Sequence, residues 1–158
     1  IGREQALRDV LSSPAAARYD YVLIDCPPTL GLLTLNALVA SDGVIIPVQT
    51  QYYALKGFTA LMNVITQIRT KGLNPHLRVL GLLATFYDGR TQLSRQVLET
   101  LQEEHPKLVF NTVIKTTVKL AEAPITGESV LKLATNSDAA QAYRALAQEV
   151  VDRTTTDQ

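Results

Sequence analysis

Cysteine is almost missing from this chain, which has a single one, Cys26, among 158 residues. One cysteine permits no internal disulfide, which leaves an apolar core to hold the fold. Because Cys26 directly follows an apolar run, we expect it to be a buried structural thiol. Metal-binding patterns are also missing, since His76 and His105 have no second ligand at a useful spacing, and we interpret both as surface or loop residues.

Long hydrophobic runs and an excess of charge of one sign are missing as well. No apolar run reaches the roughly eighteen residues that a membrane span needs, and the first residues do not form a signal peptide. We therefore expect a cytoplasmic protein. Fifteen Lys and Arg balance fifteen Asp and Glu, so the formal net charge is zero. Such a chain has no long-range field to attract nucleic acid or an anionic membrane, and any DNA contact must come from a local patch.

The residues that are present indicate an α/β domain. Hydrophobic residues make up 46% of the chain and charged residues 19%, enough for one core of ordinary size. Apolar runs of strand length alternate with segments of helical periodicity. We expect a single domain over residues 1–152 and a frayed tail over 153–158. The predicted strands cover residues 20–25, 43–48, 78–85 and 109–114, and the predicted helices cover residues 3–12, 32–41, 54–71, 91–104 and 137–152.

The most informative segment is residues 19–31, an apolar run that stops at Asp25 and continues into Pro27 and Pro28. An aspartate at the carboxyl end of a central strand can hold Mg²⁺, or a water on it, beside bound phosphates. This arrangement is typical of a Walker B element. A strand followed by an ordinary turn has the same pattern, and the 158 residues contain no G-x-x-x-x-G-K-[ST] loop to cradle the phosphates.

Five segments in succession resemble the ParA/Soj family of chromosome-partitioning ATPases. They are DCPPTLGLLTLNAL, VIIPVQTQYYALKG, LLATFYDGRTQLSRQV, VIKTTVKLAEAPITGESV and AAQAYRALAQEV. The resemblance covers residues 19–151 in order. It implies a partial P-loop NTPase fold of the ParA/MinD type, with three layers and a mostly parallel sheet that lacks the P-loop strand.

In that fold the P-loop strand lies between the Walker B strand and the following one, which here are residues 20–25 and 43–48. The family's deviant P-loop would precede Ile1, so the resemblance implies a domain truncated at its N-terminal side. An open parallel edge leaves backbone groups unpaired. We therefore expect these two strands to pair directly, or a second chain to fill the gap by strand exchange.

The resemblance also implies roles for individual residues near the phosphates. Asp25 would be catalytic, binding a water on Mg²⁺ and helping to align the attacking water. Pro27, Pro28 and Gly31 would belong to a switch II-like turn that contacts nucleotide. Gly31 would allow a conformation or a close approach that a side chain obstructs, although a plain turn before the next helix explains it equally well.

Later segments carry the implied base and DNA contacts. Thr85, Lys115 and Thr116 would lie near the adenine, although residues 115–117 read Lys-Thr-Thr where the family usually has Pro-Arg-Asn. Basic residues around the helix 91–104 and near the later loops are the candidates for non-specific phosphate contacts, while isolated basic side chains are also common on any solvated surface. These candidates are Arg90, Arg95, Lys115 and Lys119, with Lys132 nearby.

Two functions remain open. One is the C-terminal part of a ParA-type ATPase that uses ATP-dependent homodimerisation and non-specific DNA binding to segregate chromosome or plasmid DNA or another cargo. Its cofactors would be ATP and Mg²⁺ in the full-length parent, with a ParB-like activator and a nucleoid-associated location. The other is a non-catalytic interaction or dimerisation module that hydrolyses nothing and needs no cofactor. A membrane partner is not expected, because residues 153–158 lack the apolar face of a MinD-type membrane helix.

Overall fold

The structure is a computed structural model that describes residues 2–50 and 54–155, and the side chains from residue 57 onward in the second range. Helices and strands alternate along the chain, with a short 3₁₀ turn at Ala16–Arg18. The strands are β1 (Gly43–Gln49) and β2 (Arg78–Thr85), and the helices are α1 (Ala6–Leu11), α2 (Leu32–Ala40), α3 (Ala54–Thr70), α4 (Gln92–Glu104), α5 (Val118–Thr126), α6 (Val130–Leu133) and α7 (Asp138–Thr155). No helix in the described ranges is long and apolar enough to cross a bilayer.

The chain divides into two compact units. The first unit comprises Ile1–Val44 and Gly57–Val79, and the second comprises Ile45–Lys56 and Leu80–Gln158. Each unit has apolar side chains withdrawn from solvent. They are Ala37, Leu38, Val39, Ile65, Ile68 and Leu77 in the first unit, and chiefly Ile46, Val48, Leu82, Leu83, Ala84, Leu101, Phe110 and Ile114 in the second.

Strands β1 and β2 form a parallel pair. The Arg78 N–H donates to the Asp42 carbonyl at one end, and the Thr50 N–H donates to the Thr85 carbonyl at the other, both at 3.0 Å. Helix α3 connects the two strands, as a parallel crossover requires. The prediction of an α/β fold with parallel strands at 43–48 and 78–85 is confirmed.

The predicted strand at residues 20–25 is wrong. Residues 21–27 have no regular structure, and in the described part of the chain they belong to no ladder. Leu23 is 87% exposed, and Tyr21 and Val22 are each 49% exposed. A strand needs a hydrogen-bonding neighbour, and β1 pairs with β2 instead. Direct pairing of 20–25 with 43–48 is therefore also wrong, whereas filling of the gap by another chain stays a prediction.

The predicted strand at residues 109–114 is interrupted by a bulge. The Phe110 N–H donates to the Leu82 carbonyl and the Ile114 N–H to the Ala84 carbonyl, each at 2.9 Å. The chain thus advances four residues on one side for two on the other, so two extra residues bulge out. Only isolated parallel bridges remain, at Val109 and at Lys115.

The end of α7 is anchored by Arg153. Its guanidinium lies 4.0 Å from the centroid of the Phe110 ring and pairs with the Glu149 carboxylate at 3.0 Å. It also donates to three carbonyl groups, at 2.8 to 2.9 Å, which belong to Leu80, Leu108 and Val109. The prediction of a frayed tail is wrong for residues 153–155, because these contacts hold the last helical turn in place. Residues 156–158 lie outside the described part.

Helix α1 is tied to α2 by Asn36. The Asn36 amide donates to the carbonyls of Arg3 at 2.8 Å and Leu32 at 3.0 Å, and its Oδ1 accepts from the Leu7 N–H at 3.2 Å. The first helix was expected over residues 3–12. It begins only at Ala6, and the carbonyl of Arg3 bonds to Asn36.

Helices α5 and α6 were not predicted. In α5 the Thr117 hydroxyl accepts from the Leu120 N–H at 3.3 Å, and Gly127 ends the helix with φ of 68°. That positive φ favours glycine, so both ends carry ordinary capping signals. Pro124 lies inside α5 and interrupts the pattern by which a helix is recognised in sequence.

Candidate functional site

Asp25 lies on an uncovered segment of the first unit. Its side chain is exposed, and so is that of Cys26. The expectation that Cys26 is buried is wrong, because no strand or helix covers residues 21–27 in the described structure. Partial burial raises the pKa of the Cys26 thiol, and the neighbouring Asp25 carboxylate raises it further. Asp25 is thus a solvent-accessible carboxylate that is free to accept from water.

The turn after Asp25 is held by a threonine that sequence reasoning missed. The Thr34 hydroxyl donates to the Thr29 carbonyl at 2.6 Å, with a second contact to the Pro27 carbonyl at 3.4 Å. Pro27 and Pro28 are both exposed. The bond from Thr34, in the first turn of α2, fixes where the turn joins the helix.

Gly31 occupies the N-cap position of α2 with φ of −96°, a value open to any residue. An added Cβ would meet only the Thr29 hydroxyl, at 3.9 Å. The expectation that Gly31 needs a special conformation or close approach is therefore wrong here. Its place at the start of a helix matches the plain-turn alternative.

In the second unit, two buried hydroxyl groups join the ends of the strands to α4. Thr50, 1% exposed, follows β1, and its hydroxyl lies 3.3 Å from the Thr85 carbonyl and 3.2 Å from the Ser94 hydroxyl. Ser94 Oγ donates in turn to the Thr50 carbonyl at 3.2 Å. Neither residue was predicted to matter. Both lie next to Thr85, a candidate for the base contact.

The structure brings the three candidate base contacts to one end of the sheet. The Tyr87 N–H donates to the Ile114 carbonyl, and the Thr116 N–H donates to the Tyr87 carbonyl, each at 3.1 Å. These bonds set Lys115 and Thr116 beside the chain that leaves β2 at Thr85. Phe86, between Thr85 and Tyr87, has a φ of 52°, and its side chain is 54% exposed. A bulky residue in the left-handed region is a strained feature of the kind found at binding sites.

Two of the candidate DNA contacts are held near Asp88. Arg90 pairs with the Asp88 carboxylate through Nε and Nη2, both at 2.9 Å, while 91% of the Arg90 side chain stays exposed. The hydrogen bonds from the Arg90 side chain and backbone lower the pKa of Asp88 to about 2. Arg95 donates to the Gly89 carbonyl at 2.6 Å.

The lysine candidates lie on or beside helices and differ in their pairing. Lys119 lies in the first turn of α5 and pairs with Glu122 at 2.8 Å. Lys132 lies on α6 and pairs with Glu128. Lys115 has no ion pair within the described residues. The acidic partners therefore offset much of the local positive charge on which the predicted patch depends.

The described residues contain no group of three or more His, Cys, Asp or Glu placed to hold a metal ion. Asp25 alone suits a Mg²⁺ ion whose other ligands are water and phosphate oxygens, as is usual for this ion. Asp25, Pro27, Pro28 and Gly31 belong to the first unit, whereas the base and DNA candidates belong to the second.

Comparison with known proteins identifies the family. A family model described as an AAA domain matches residues 1–79. Soj, the chromosome-partitioning ATPase of Thermus thermophilus, is 49% identical over 152 residues, which are 96% of this chain and 59% of that protein. The chain belongs to the ParA/Soj family. The chromosome partitioning protein ParA of Myxococcus xanthus is 44% identical over 153 residues, or 97% of this chain and 53% of that protein.

Solved structures place this ParA/Soj chain in the same fold. Cobyrinic acid a,c-diamide synthase of Mycobacterium smegmatis, with bound ADP and magnesium, matches with a TM-score of 0.78 and 33% identity over 100% of this chain and 56% of that one. The cell division ATPase MinD of Pyrococcus furiosus matches with a TM-score of 0.75 at 21% identity, over 94% of this chain and 58% of that one, which shows the fold alone. The chain spans about half the length of the curated relatives it matches.

Proposed function

We propose that this chain is the part of a ParA-type ATPase that holds the Walker B carboxylate and the base-side loop of the nucleotide site. The observation that carries the proposal is identity of 44% to 49%, over about 96% of the chain, with proteins named for chromosome partitioning. The parent protein would segregate chromosome or plasmid DNA, or position another cargo.

Asp25 is the proposed catalytic residue. Its exposed carboxylate would accept from a water on Mg²⁺ and help to orient the attacking water. ATP and Mg²⁺ supply the transferable phosphoryl group and the charge that stabilises its transfer. The turn formed by Pro27, Pro28 and Gly31 would change conformation between the ATP-bound and ADP-bound states. The Thr34 hydroxyl bonds this turn to the first turn of α2, so the change would be passed to that helix.

The base end of the site would be formed by Thr85, Lys115 and Thr116. The backbones of Lys115 and Thr116 lie beside Tyr87, two residues after Thr85, and the Thr85 carbonyl accepts from the buried Thr50 hydroxyl. Rigid support of this kind lets polar groups keep a fixed geometry toward a planar base.

The partners of the proposed cycle are a second copy of the chain, DNA and a ParB-like activator. Nucleotide-dependent dimerisation would bring basic side chains of two copies to one DNA surface, which compensates for the zero net charge of each chain. The protein would then associate with the nucleoid in the cytoplasm.

A second candidate function is a non-catalytic interaction or dimerisation module. It differs from the first candidate in the phosphate contacts, because the G-x-x-x-x-G-K-[ST] motif that binds phosphates is not among these 158 residues. A chain of this kind would keep a partner surface and hydrolyse nothing.

The test compares ATP hydrolysis by the 158-residue chain with hydrolysis by a fusion that adds the uncovered N-terminal part of Thermus thermophilus Soj. We expect the chain alone to show no turnover above background, and the fusion to hydrolyse ATP when Mg²⁺ is present. Asp25→Asn should lower the rate of the fusion by roughly a hundredfold or more, as loss of a group that stabilises the transition state does.

The matched control is Asp20→Asn, an exposed carboxylate on the same segment, which should leave the rate within about twofold since an exposed charge contributes little. Equal rates for the Asp25→Asn fusion and its parent would reject the catalytic role. A folded fusion with no ATP binding at all would favour the module.

A further inference from the structure

A groove in the second unit lies outside the residues assigned to magnesium binding. It has a volume of about 450 Å³ and runs between the segment 111–115 and one face of α7. That volume is within the range of sites that bind a ligand of several hundred daltons. Its lining comprises Asn111, Thr112, Val113, Lys115, Asp138, Ala139, Gln141, Ala142 and Ala145.

One wall of the groove is an open backbone edge. Both backbone groups of Ile114 face β2 and the residues that follow it: the Ile114 N–H donates to the Ala84 carbonyl, and the Ile114 carbonyl accepts from the Tyr87 N–H. Backbone groups alternate along an extended chain, so those of Val113 and Lys115 face the opposite side. Within the described residues neither has a hydrogen-bond partner. These two positions have the two-residue spacing at which an added strand bonds.

The opposite wall is lined by small side chains. Ala139, Ala142 and Ala145 recur at every third position of α7 and lie along the groove. Alanine leaves space between the helix and the open edge, and beyond its first turn the helix has no backbone donors to offer because they are used internally. A further extended chain lies about 4.8 Å from its neighbour, so this space suits a peptide backbone.

Glu149, on α7, bonds to two backbone groups of the segment 111–115. Its carboxylate accepts from the N–H groups of Asn111 at 2.8 Å and Thr112 at 3.1 Å. Burial raises the pKa of Glu149, but these backbone bonds and the nearby Arg153 outweigh it and keep that pKa below its ordinary value. The N–H groups of the bulge thus donate to Glu149 on the helix, and the backbone groups still available to a ligand are those of Val113 and Lys115.

The lining of the groove carries two opposite charges. Lys115 and Asp138 both line it, both are exposed, and in the described ranges neither forms an ion pair. A ligand with an acidic and a basic side chain complements both at once. A purely anionic ligand would meet the Asp138 carboxylate.

We propose that this groove binds an extended peptide of a partner protein, which pairs as an added strand with Val113 and Lys115. An acidic side chain of the peptide contacts Lys115, a basic one contacts Asp138, and a small or β-branched side chain packs over the three alanines. Main-chain bonds supply affinity and the charges supply specificity, as in other cases of strand addition. The site goes beyond the ATPase function, and it shares Lys115 with the proposed base contact.

The test uses the ¹⁵N-labelled chain and a blocked hexapeptide, Thr-Val-Glu-Val-Lys-Thr. We expect saturable shifts of the Val113 and Lys115 amide signals at peptide concentrations up to about 1 mM, the range of weak single-peptide binding. The same peptide with N-methyl groups on both valines should bind at least tenfold more weakly, since it cannot donate to the edge.

The groove variant is Ala145→Leu, which fills the space for the peptide and should weaken binding at least tenfold. Its matched control is Ala147→Leu, an exposed alanine on the same helix outside the groove lining, which should bind like the parent. In the double variant Lys115→Glu and Asp138→Lys, which reverses both groove charges, a peptide with its Glu and Lys exchanged should become the tighter ligand.

Any of four results would overturn the proposal: no saturable shift, equal binding of the N-methylated peptide, unchanged affinity in Ala145→Leu, or equal loss in Ala147→Leu. Shifts of the same amides by ATP and not by the peptide would also overturn it, because the groove would then be part of the nucleotide site.

Discussion

At the scale of single residues, Arg153 and Gly81 depend on one another. A Cβ at Gly81 would lie 2.5 Å from Arg153 Nη1, 2.5 Å from a Phe110 ring carbon and 2.7 Å from the Leu108 carbonyl. The carbonyl is backbone and the ring is buried, so neither can move aside without disturbing the core. Glycine at 81 is what lets the guanidinium reach its carbonyl partners.

Gly81→Ala should therefore destabilise the chain by about 2 to 3 kcal/mol, the range for overpacking of a rigid site. Gly57→Ala is the matched control, because Gly57 lies in α3 with nothing within 4 Å of an added Cβ. It should be neutral or more stable by up to about 1 kcal/mol. Urea unfolding followed by circular dichroism measures both. Equal urea midpoints for Gly81→Ala and the unsubstituted chain would show that the residues around Arg153 can shift to accommodate the added methyl group.

The side chains that hold the fold together were not predictable one by one. Arg153 bonds to a carbonyl 73 positions away, Thr50 to Ser94 across 44 positions, and Asn36 to Arg3 across 33. No local pattern distinguishes these residues from exposed polar ones, because their partners are decided by the tertiary fold. Asp25 differs from these residues, because a local pattern marks it: a run of apolar residues that stops at an acid.

At the scale of elements, most helices and both strands of the sheet follow from periodicity. Helices α2, α3, α4 and α7 and strands β1 and β2 lie where apolar spacing predicts them. Residues 20–25 have equally strong strand composition and form no strand. Amino-acid composition gives the strand propensity of a segment, but a strand forms only when a neighbouring strand is there to hydrogen-bond with it. The bulge at 111–112 could likewise not be predicted from sequence, because it depends on Glu149 accepting from two N–H groups.

The exposed segment 20–26 makes Cys26 a direct probe. We expect a maleimide to label Cys26 in the folded chain, with a rate that rises with pH beyond the usual range for thiols, because the raised pKa leaves little thiolate at neutral pH. Asp25→Asn removes the neighbouring negative charge and should accelerate labelling at pH 7. Asp20→Asn, farther along the segment, is the control.

Labelling that needs denaturant would contradict this description of residues 20–26. It would show that something covers the segment in solution. A second chain that supplies the missing neighbour would have this effect, and the protection would then depend on protein concentration.

At the scale of the whole molecule, the zero net charge means that the proposed DNA binding would depend on a few side chains and their acidic neighbours. Asp88 offsets Arg90 and Glu122 offsets Lys119 through close ion pairs. Exposed ion pairs of this kind contribute little to stability. Their greater effect is on the potential that a phosphate meets.

In the Soj fusion with ATP, replacing Arg90, Arg95, Lys115 and Lys119 together by Ala should reduce the slope of log Kobs against log salt by about 3 to 4, if each contacts a phosphate. Asp88→Asn and Glu122→Gln should act the other way and strengthen binding. Fluorescence anisotropy with a labelled duplex at several salt concentrations measures the slope. Unchanged DNA binding in the fourfold variant would reject the patch.

The anchoring of α7 by Arg153 also bears on how the protein can be shortened. From sequence alone, the polar residues from Arg153 onward would be chosen for removal to ease crystallisation or expression. Trimming back to Asp152 would leave the carbonyls of Leu80, Leu108 and Val109 without their common donor and uncover the Phe110 ring. A cut after Thr155 keeps all of these contacts.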